Sequence, residues 1–289
     1  MNSLLHSELE NLASALAAGA TMELYLTPKP GLVDLADCGS HTDLSVPLME
    51  QSIGIVGDYL DEIVVSLKSN EPFHRQKEIA LRAELRLKEE LGTNTHKGFI
   101  FLSGMLLIAR RRAAAPDEME IRRSLSMISE TFFSHSETTN TNGERVRKRF
   151  SAGGIVQEAI AGYPSLFDEA LPAFRRAYAQ HVCVTTASFA MMARLMQTVE
   201  DTTTLHRAGP EGLMRVRQDG KALEGIIADG GDFLSCLQEI NREYVRLNIT
   251  IGGVADMLGL AFGCLIARGE IPERSNAPSP ALANSLVTA

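Results

Sequence analysis

Two adjacent carboxylates, Glu200 and Asp201, follow a predicted helix in the segment VEDTTTLHRAG. An acidic side chain at a helix C-terminus meets the negative end of the helix dipole and the free carbonyl groups, which is unfavourable by itself. Mg²⁺ is commonly held by one or two carboxylates together with the phosphates of a substrate. The pattern therefore favours a magnesium site at Glu200 and Asp201, with His206 in the same region. A cap on the following helix is the alternative for Asp201.

A second polar segment, LGTNTHKGFIF, places cationic side chains at the start of a predicted apolar helix. Free backbone amides point out of a helix N-terminus and bind anions, and His96 and Lys97 add donors that suit a phosphate. Asn94 belongs to the same segment. Because a cation here opposes the helix dipole, the segment predicts an anion in front of the helix. A solvated first turn capped by Thr95 is the alternative.

The segment TPKPGLVD, residues 27–34, and the nearby His41 form a third polar group. Its two prolines restrict the backbone, and Gly31 allows a ligand to approach closely. Lys29 and Asp34 supply opposite charges. The pattern favours a ligand-binding loop, and a rigid turn between two helices is the alternative.

Two further segments combine glycine pairs with carboxylates. In TNTNGERVRKRFSAGGIVQEA, Glu144 and Glu158 flank a basic run, although charge runs are usually solvated surfaces. In TIGGVADML, Gly252 and Gly253 let the backbone approach a bound group, and Asp256 falls in the first turn of the last predicted helix. An acid that complements the helix dipole is the alternative for Asp256. Five such segments on one helical scaffold indicate a site for a phosphorylated substrate and its metal.

The elements between these segments are predicted to be helices. Apolar residues recur at helical spacing, as at Leu9, Leu12 and Leu16, and there is no sustained alternation typical of strands. We expect an all-α fold, a single bundle-like domain of about ten helices over residues 1–270, with the site built from the loops between helices. Residues 271–289 predict a flexible tail. The main predicted helices cover about residues 5–26, 47–67, 73–91, 99–113, 117–134, 155–162, 165–179, 181–199, 210–218, 231–247 and 253–268.

Composition sets the broad class of the protein. The chain has 289 residues, of which 45% are hydrophobic and 22% charged, as is ordinary for a globular protein. Its formal net charge of −8 argues against general nucleic-acid binding, which needs a basic face. No apolar run is long enough to predict a membrane span, and the acidic start is unlike a signal peptide. Four scattered cysteines indicate neither a zinc site nor a disulfide framework. These features predict a cytoplasmic enzyme.

Taken together, the motifs resemble the triphosphoribosyl-dephospho-coenzyme A synthase family, which serves citrate lyase and malonate decarboxylase. They occur in the order TPKPGLVD, H-x-D, NTHKG, GERV…EA…GYP, EDTTTLHRAG and GGVADML, within about residues 8–268. The resemblance implies an all-α fold and a reaction in which the ribose 2′-hydroxyl of 3′-dephospho-coenzyme A displaces adenine from ATP. The product would be the precursor of a prosthetic group that another enzyme attaches to an acyl-carrier protein.

The resemblance also implies roles for the polar residues. Glu200 and Asp201 are assigned to Mg²⁺ and the triphosphate, and Asp34, followed by Glu158, is the candidate catalytic carboxylate. ATP and dephospho-coenzyme A are the expected small-molecule partners, and a homodimer is an open expectation. The binding pocket is expected to contain Lys29, His41, Asn94, His96, Lys97, Glu144, His206, Gly252, Gly253 and Asp256.

Two other functions stay open at this point. One is a helical Mg²⁺-dependent nucleotide hydrolase in which Glu200 and Asp201 activate water, and the other is a protein that binds nucleotide without turning it over. Two departures from the family pattern bear on the acceptor: Val156 stands where the family has an arginine, and Val254 where it has a serine. The neighbouring basic run RVRKR is the candidate source of the missing charge.

Overall fold

Helices form most of the computed structural model, which describes residues 2–134 and 142–272. This described part contains twelve α-helices and no strand, which confirms the predicted all-α single domain. A π-helical turn, Ser165–Ala170, leads directly into α8. The α-helices are α1 (Asn2–Tyr25), α2 (Val46–Lys68), α3 (Phe73–Leu91), α4 (Lys97–Arg112), α5 (Glu118–Ser134), α6 (Asn142–Phe150), α7 (Gly154–Ile160), α8 (Leu171–His181), α9 (Val184–Thr198), α10 (Thr202–Ala228), α11 (Phe233–Leu247) and α12 (Gly252–Ala267).

The first and last helices, α1 and α12, form the centre of the bundle and pack with their backbones in contact. A Cβ atom added at Gly19 would overlap the backbone of Gly259 and Gly263, and one added at Gly263 would lie 2.8 Å from Leu16 Cα. The helix α12 also contacts α4, α9 and α10. Its first turn is therefore fixed against several helices at once. Among the described helices, none is long and apolar enough to cross a membrane.

A second buried helix, α4, is anchored by two tyrosines. Tyr59 on α2 donates its hydroxyl proton to the carbonyl of Ile100 at 2.9 Å. Tyr163, which follows α7, donates to the carbonyl of Leu102 at 3.1 Å. Both tyrosine side chains are buried, and a Cβ atom added at Gly104 would overlap the Tyr59 hydroxyl group. These contacts fix α4 between α2 and the segment after α7.

Local signals set several helix ends where the sequence predicts them. α3 ends at Gly92, which has the left-handed conformation (φ 69°) typical of a glycine C-cap, and Pro47 lies in the first turn of α2. The predicted helix over about residues 210–218 is too short at both ends, because α10 is Thr202–Ala228. The helix passes through a kink at Gly209 (φ 67°, ψ −168°) and continues from Pro210, whose missing N–H costs nothing in a new first turn.

The predicted division into a domain and a tail stays a prediction. Residues 273–289 of the predicted tail lie outside the described residues, as do residues 135–141 of the polar loop before α6.

Candidate active site

The TPKPGLVD loop follows α1 and turns its lysine into the protein. Lys29 is 1% exposed, and its Nζ atom lies 2.6 Å from Glu23 Oε1 in a buried ion pair. The same ammonium group donates to the carbonyl oxygens of Glu23 and Leu24, which satisfies acceptors left free at the end of α1. Lys29, which the sequence predicts to bind phosphate, thus binds groups of the protein in this structure.

Glu23 is the partner that the sequence analysis missed. It follows Leu9, Leu16 and Ala20 on the buried face of α1, and a carboxylate on that face was the available signal. Burial raises the pKa of Glu23, while the ion pair with Lys29 acts in the opposite direction.

Asp34 closes the same loop. Its Oδ2 atom accepts a hydrogen bond from the backbone N–H of Lys29 at 2.6 Å. Its Oδ1 atom accepts from the N–H groups of Ala36 at 2.7 Å and Asp37 at 3.3 Å. Burial raises the pKa of Asp34, and these backbone donors partly offset that effect. The contacts give Asp34, a predicted catalytic carboxylate, a role in shaping the loop.

His41 is held between two later segments of the chain. Its Nε2 atom lies 2.9 Å from Thr250 Oγ1 and its Nδ1 atom 3.3 Å from a guanidinium nitrogen of Arg207. Arg207 also donates to the carbonyl of Ser40 at 2.6 Å. Burial, followed by the charge of Arg207, lowers the pKa of His41. The imidazole is therefore neutral near pH 7 and joins the loop after α1 to α10 and to the start of α12.

Asp201 links the N-termini of α10 and α12. Its Oδ1 atom accepts from the N–H groups of Thr203 at 2.8 Å and Thr204 at 3.0 Å, which is an N-cap of α10. Its Oδ2 atom accepts from the N–H of Val254 at 3.0 Å in the first turn of α12. A Cβ atom added at Gly253 would lie 3.0 Å from this Oδ2 atom. Burial raises the pKa of Asp201, and the backbone donors oppose that rise. These contacts are those of a helix cap, which is the alternative that the sequence gives for Asp201.

The carboxyl group of Asp256 lies in front of α4, where the sequence predicts that an anion binds. The backbone N–H of Phe99, in the first turn of α4, donates to its carboxyl group. A Cβ atom added at Gly98 would overlap that carboxyl group, so a larger residue here would displace the Asp256 side chain. Burial, with the nearby charges of Glu23 and Asp201, raises the pKa of Asp256 well above its usual range.

The other residues of the NTHKG segment point in different directions. His96 has a left-handed backbone (φ 57°) and turns its ring inward, with Nδ1 2.6 Å from Ser52 Oγ. Its Nε2 atom is buried and has no partner among the described residues. Burial, assisted by Lys29, lowers the pKa of His96 to about 4. Lys97 is exposed and pairs with Glu84 on α3, and Asn94 is exposed as well.

Glu200 contacts the start of α7. Its Oε2 atom accepts from the N–H groups of Gly153 at 2.6 Å and Gly154 at 3.0 Å. Next to this contact, Glu144 on α6 is buried and lies 2.8 Å from Lys148 Nζ. Gly153 and Gly154, the glycine pair noted in the sequence, thus place the start of α7 against the Glu200 carboxylate.

Two predicted residues lie apart from these contacts. Glu158 accepts from the N–H of Ser165 at 2.8 Å and from its hydroxyl group at 2.9 Å, so it fastens the π-helical turn. Burial raises the pKa of Glu158. The side chain of His206 is exposed on α10.

Six polar side chains consequently meet where the loop after α1 and the N-termini of α4, α10 and α12 converge, and we call this group the buried polar cluster. Within this buried polar cluster, Lys29 interacts with Glu23 and His96, and Glu23 interacts with Asp34 and Asp256. Burial is the main cause of the raised pKa values of these carboxyl groups, and neighbouring carboxyl groups add to it for Glu23 and Asp256. We define the buried polar cluster as Glu23, Lys29, Asp34, His96, Asp201 and Asp256.

The carboxylates do not fit the predicted two-residue magnesium site. Both oxygens of Asp201 already accept backbone hydrogen bonds, and Glu200 Oε2 accepts two. Over residues 2–134 and 142–272, no group of three or more His, Cys, Asp or Glu side chains is arranged to hold a metal ion. Glu200 and Asp201 thus bind backbone groups of different helices, and magnesium stays a prediction.

Comparison with known proteins gives a consistent family. A model of the ATP:dephospho-CoA triphosphoribosyl transferase family matches residues 9–276. The chain is 27% identical over 272 residues to the 2-(5''-triphosphoribosyl)-3'-dephosphocoenzyme-A synthase of Klebsiella pneumoniae, covering 88% of this chain and 89% of that protein. It is 31% identical over 259 residues to a protein of Azotobacter vinelandii named as a probable synthase of the same kind, covering 85% and 87%. No solved structure gives a significant match.

Proposed function

Because this chain belongs to the ATP:dephospho-CoA triphosphoribosyl transferase family, we propose that it moves the 5-triphosphoribosyl group of ATP to the 2′-hydroxyl of 3′-dephospho-coenzyme A and releases adenine. The family match over nearly the whole chain carries this proposal. The convergence of the TPKPGLVD, NTHKG, EDT and GGVAD segments on one buried polar cluster supports it. The comparisons do not favour the nucleotide hydrolase or the non-catalytic binding protein.

The reaction exchanges one bond at the anomeric carbon of ATP. The bond from that carbon to adenine breaks, and a bond to the 2′-oxygen of the acceptor forms. The acceptor hydroxyl loses a proton and adenine gains one, so the net reaction neither consumes nor releases protons. Positive charge develops on the sugar, as in glycoside cleavage. A protonated carboxyl group for the leaving base and a carboxylate near the sugar therefore suit the reaction.

Asp256 is the proposed proton donor to adenine. Its side chain is partly exposed beside the N-terminus of α4, and burial of its carboxyl group with Glu23 and Asp201 nearby keeps its pKa well above the usual range. A raised pKa favours the protonated form of a carboxyl group, and this form can donate a proton to a leaving group. Asp34 and Glu158, the catalytic residues predicted from the sequence, bind backbone groups instead, which favours structural roles for both.

Glu200 is the proposed acceptor for the proton of the acceptor hydroxyl. Its Oε2 atom is fixed by two backbone N–H groups, and within the described part of the chain its Oε1 atom makes no hydrogen bond. This leaves one oxygen of a positioned carboxylate for the substrate. Mg²⁺ stays a prediction, as a companion of the ATP triphosphate, and so do the homodimer and the delivery of the product to an acyl-carrier protein.

The test is product analysis with the purified protein. We expect incubation with ATP and dephospho-coenzyme A to give free adenine and an equal amount of a coenzyme whose mass has grown by one triphosphoribosyl group. Parallel reactions with added Mg²⁺ and with EDTA test the metal prediction. Release of phosphate or pyrophosphate without adenine would support the hydrolase instead, and binding of ATP without any product would support the non-catalytic protein.

A further inference from the structure

A cavity of about 380 Å³ opens beside Glu200, outside the buried polar cluster. Its walls come from α6, α7 and the turn between them, and they include Arg147, Lys148, Gly153 and Val156. Gly153 donates its N–H to Glu200 at 2.6 Å, so the cavity adjoins the proposed active site. The cavity is large enough for a small polar ligand group.

Arg147 is a cation of this cavity that the described fold leaves uncompensated. Lys148, its neighbour, pairs with Glu144 at 2.8 Å. Arg147 has neither an ion pair nor a hydrogen bond with any residue in the described ranges, although its side chain is only partly exposed. A Cβ atom added at Gly154 would lie 3.8 Å from Arg147 Cδ and 2.6 Å from Thr202 Cγ2. The guanidinium stem therefore packs next to the start of α10, one residue after Asp201.

The absence of a carboxylate partner is informative because the chain is acidic. Its formal net charge is −8, and the structure pairs most arginines of the surface helices, such as Arg82 with Glu62 and Arg175 with Glu270. A partly buried, unpaired guanidinium group that lines a cavity presents several N–H donors with no acceptor. Its planar donor arrangement matches phosphate oxygens.

We propose that this cavity binds the phosphate chain of a substrate and that Arg147 is the main contact. The proposal rests on the proposed function, which supplies two sources of such a chain: the triphosphate of ATP and the pyrophosphate of dephospho-coenzyme A. Val156 provides a wall of the cavity without charge, so an arginine placed there would add a second donor group to the same ligand.

The experiment measures binding without turnover. Calorimetric titrations use ATP alone and dephospho-coenzyme A alone, with the native protein and with Arg147→Gln. Arg149→Gln is the matched control, because Arg149 is exposed, lies over the Phe150 ring at 5.0 Å and is outside the cavity lining. We expect Arg147→Gln to weaken one of the two ligands about 10- to 100-fold, which corresponds to one lost hydrogen bond to a charged group. We expect Val156→Arg to tighten the same ligand.

The ligand that is weakened identifies the source of the phosphate chain. Unchanged affinity for both ligands in Arg147→Gln overturns the proposal, and so does an equal loss in Arg149→Gln, which would indicate only long-range charge. A native protein that binds neither ligand overturns it as well. A native protein that binds its ligands through Arg147 but releases no adenine would reject the proposed function and leave the phosphate site standing.

Discussion

At the scale of single residues, burial decides what each charged side chain can do. Lys29 and Asp34 have the residue types of a ligand-binding loop, yet the structure engages both with the protein's own groups. The sequence marks these two residues because prolines and a glycine restrict the backbone of the loop that carries their opposite charges. It does not show their partners, since Glu23 becomes the partner of Lys29 only when the loop folds back on α1.

The ion pair between Lys29 and Glu23 yields the first prediction. Lys29→Met should lower the free energy of unfolding by about 3–5 kcal/mol, because it leaves the Glu23 carboxylate buried without its partner. The measurement is denaturant unfolding of the native protein and the variant, and the double variant Glu23→Leu with Lys29→Met should recover much of the loss. If Lys29→Met is as stable as the native protein but binds ATP poorly, Lys29 is a phosphate ligand as the sequence predicts.

At the scale of secondary-structure elements, side-chain carboxyl groups accept the free N–H groups at the N-termini of four helices. Asp201 serves α10 and α12, Asp256 serves α4, and Glu200 serves α7. Each of these helix starts presents free N–H groups, and a nearby carboxylate satisfies them and complements the dipole. This shared arrangement brings together segments that are far apart in the sequence.

Removal of the shared cap gives the second prediction. Asp201→Ala should lower the free energy of unfolding by roughly 1–4 kcal/mol, because two helix caps of roughly 0.5–2 kcal/mol each are lost together. Asp232→Ala is the matched control, since Asp232 caps α11 alone by accepting from the N–H of Ser235 at 3.1 Å. Equal losses in the two variants, measured by denaturant unfolding, would show that the contact between Asp201 and α12 contributes nothing.

At the scale of the whole molecule, the sequence predicts the all-α fold better than it predicts the contacts of the polar residues. Helical periodicity and cap residues are enough to predict most of the helices. At Gly209 and Pro210 the sequence predicts the start of a helix, whereas the structure has a kink within α10. Four of the five polar segments meet in the structure, and their part in a functional site stays a prediction. Their roles depend on contacts between residues more than forty positions apart, such as Val254 with Asp201 and Glu200 with Gly154, which spacing alone does not define.

The acid sensitivity of the whole fold gives the third prediction. Burial lowers the pKa of His96 to about 4, below its usual value of about 6.5. The unfolded chain therefore takes up a proton before the folded chain does, and His96 should reduce stability as the pH falls from about 6.5 to 4. The slope should approach about 1.4 kcal/mol per pH unit.

Variants of two histidines isolate this effect from the carboxyl groups with raised pKa values, which favour the folded state as the pH falls. His96→Gln should lose the acid-dependent destabilisation, whereas His206→Gln should keep it, because His206 is exposed. The measurement is the free energy of unfolding at pH 7, 6 and 5. Parallel pH curves for the native protein and His96→Gln would mean that His96 is solvated and not buried.

The rate of adenine release by Asp256→Asn tests the central claim most directly. Asparagine keeps an oxygen that can accept the N–H of Phe99 but cannot give a proton to adenine. We predict a fall of about 10²- to 10⁴-fold relative to the native protein, the usual contribution of a positioned general acid, while Glu158→Gln stays within about tenfold of the native rate. Chromatography of adenine from ATP and dephospho-coenzyme A, at equal amounts of folded protein, gives both rates. Native-like release by Asp256→Asn would contradict the assignment of the buried polar cluster as the active site.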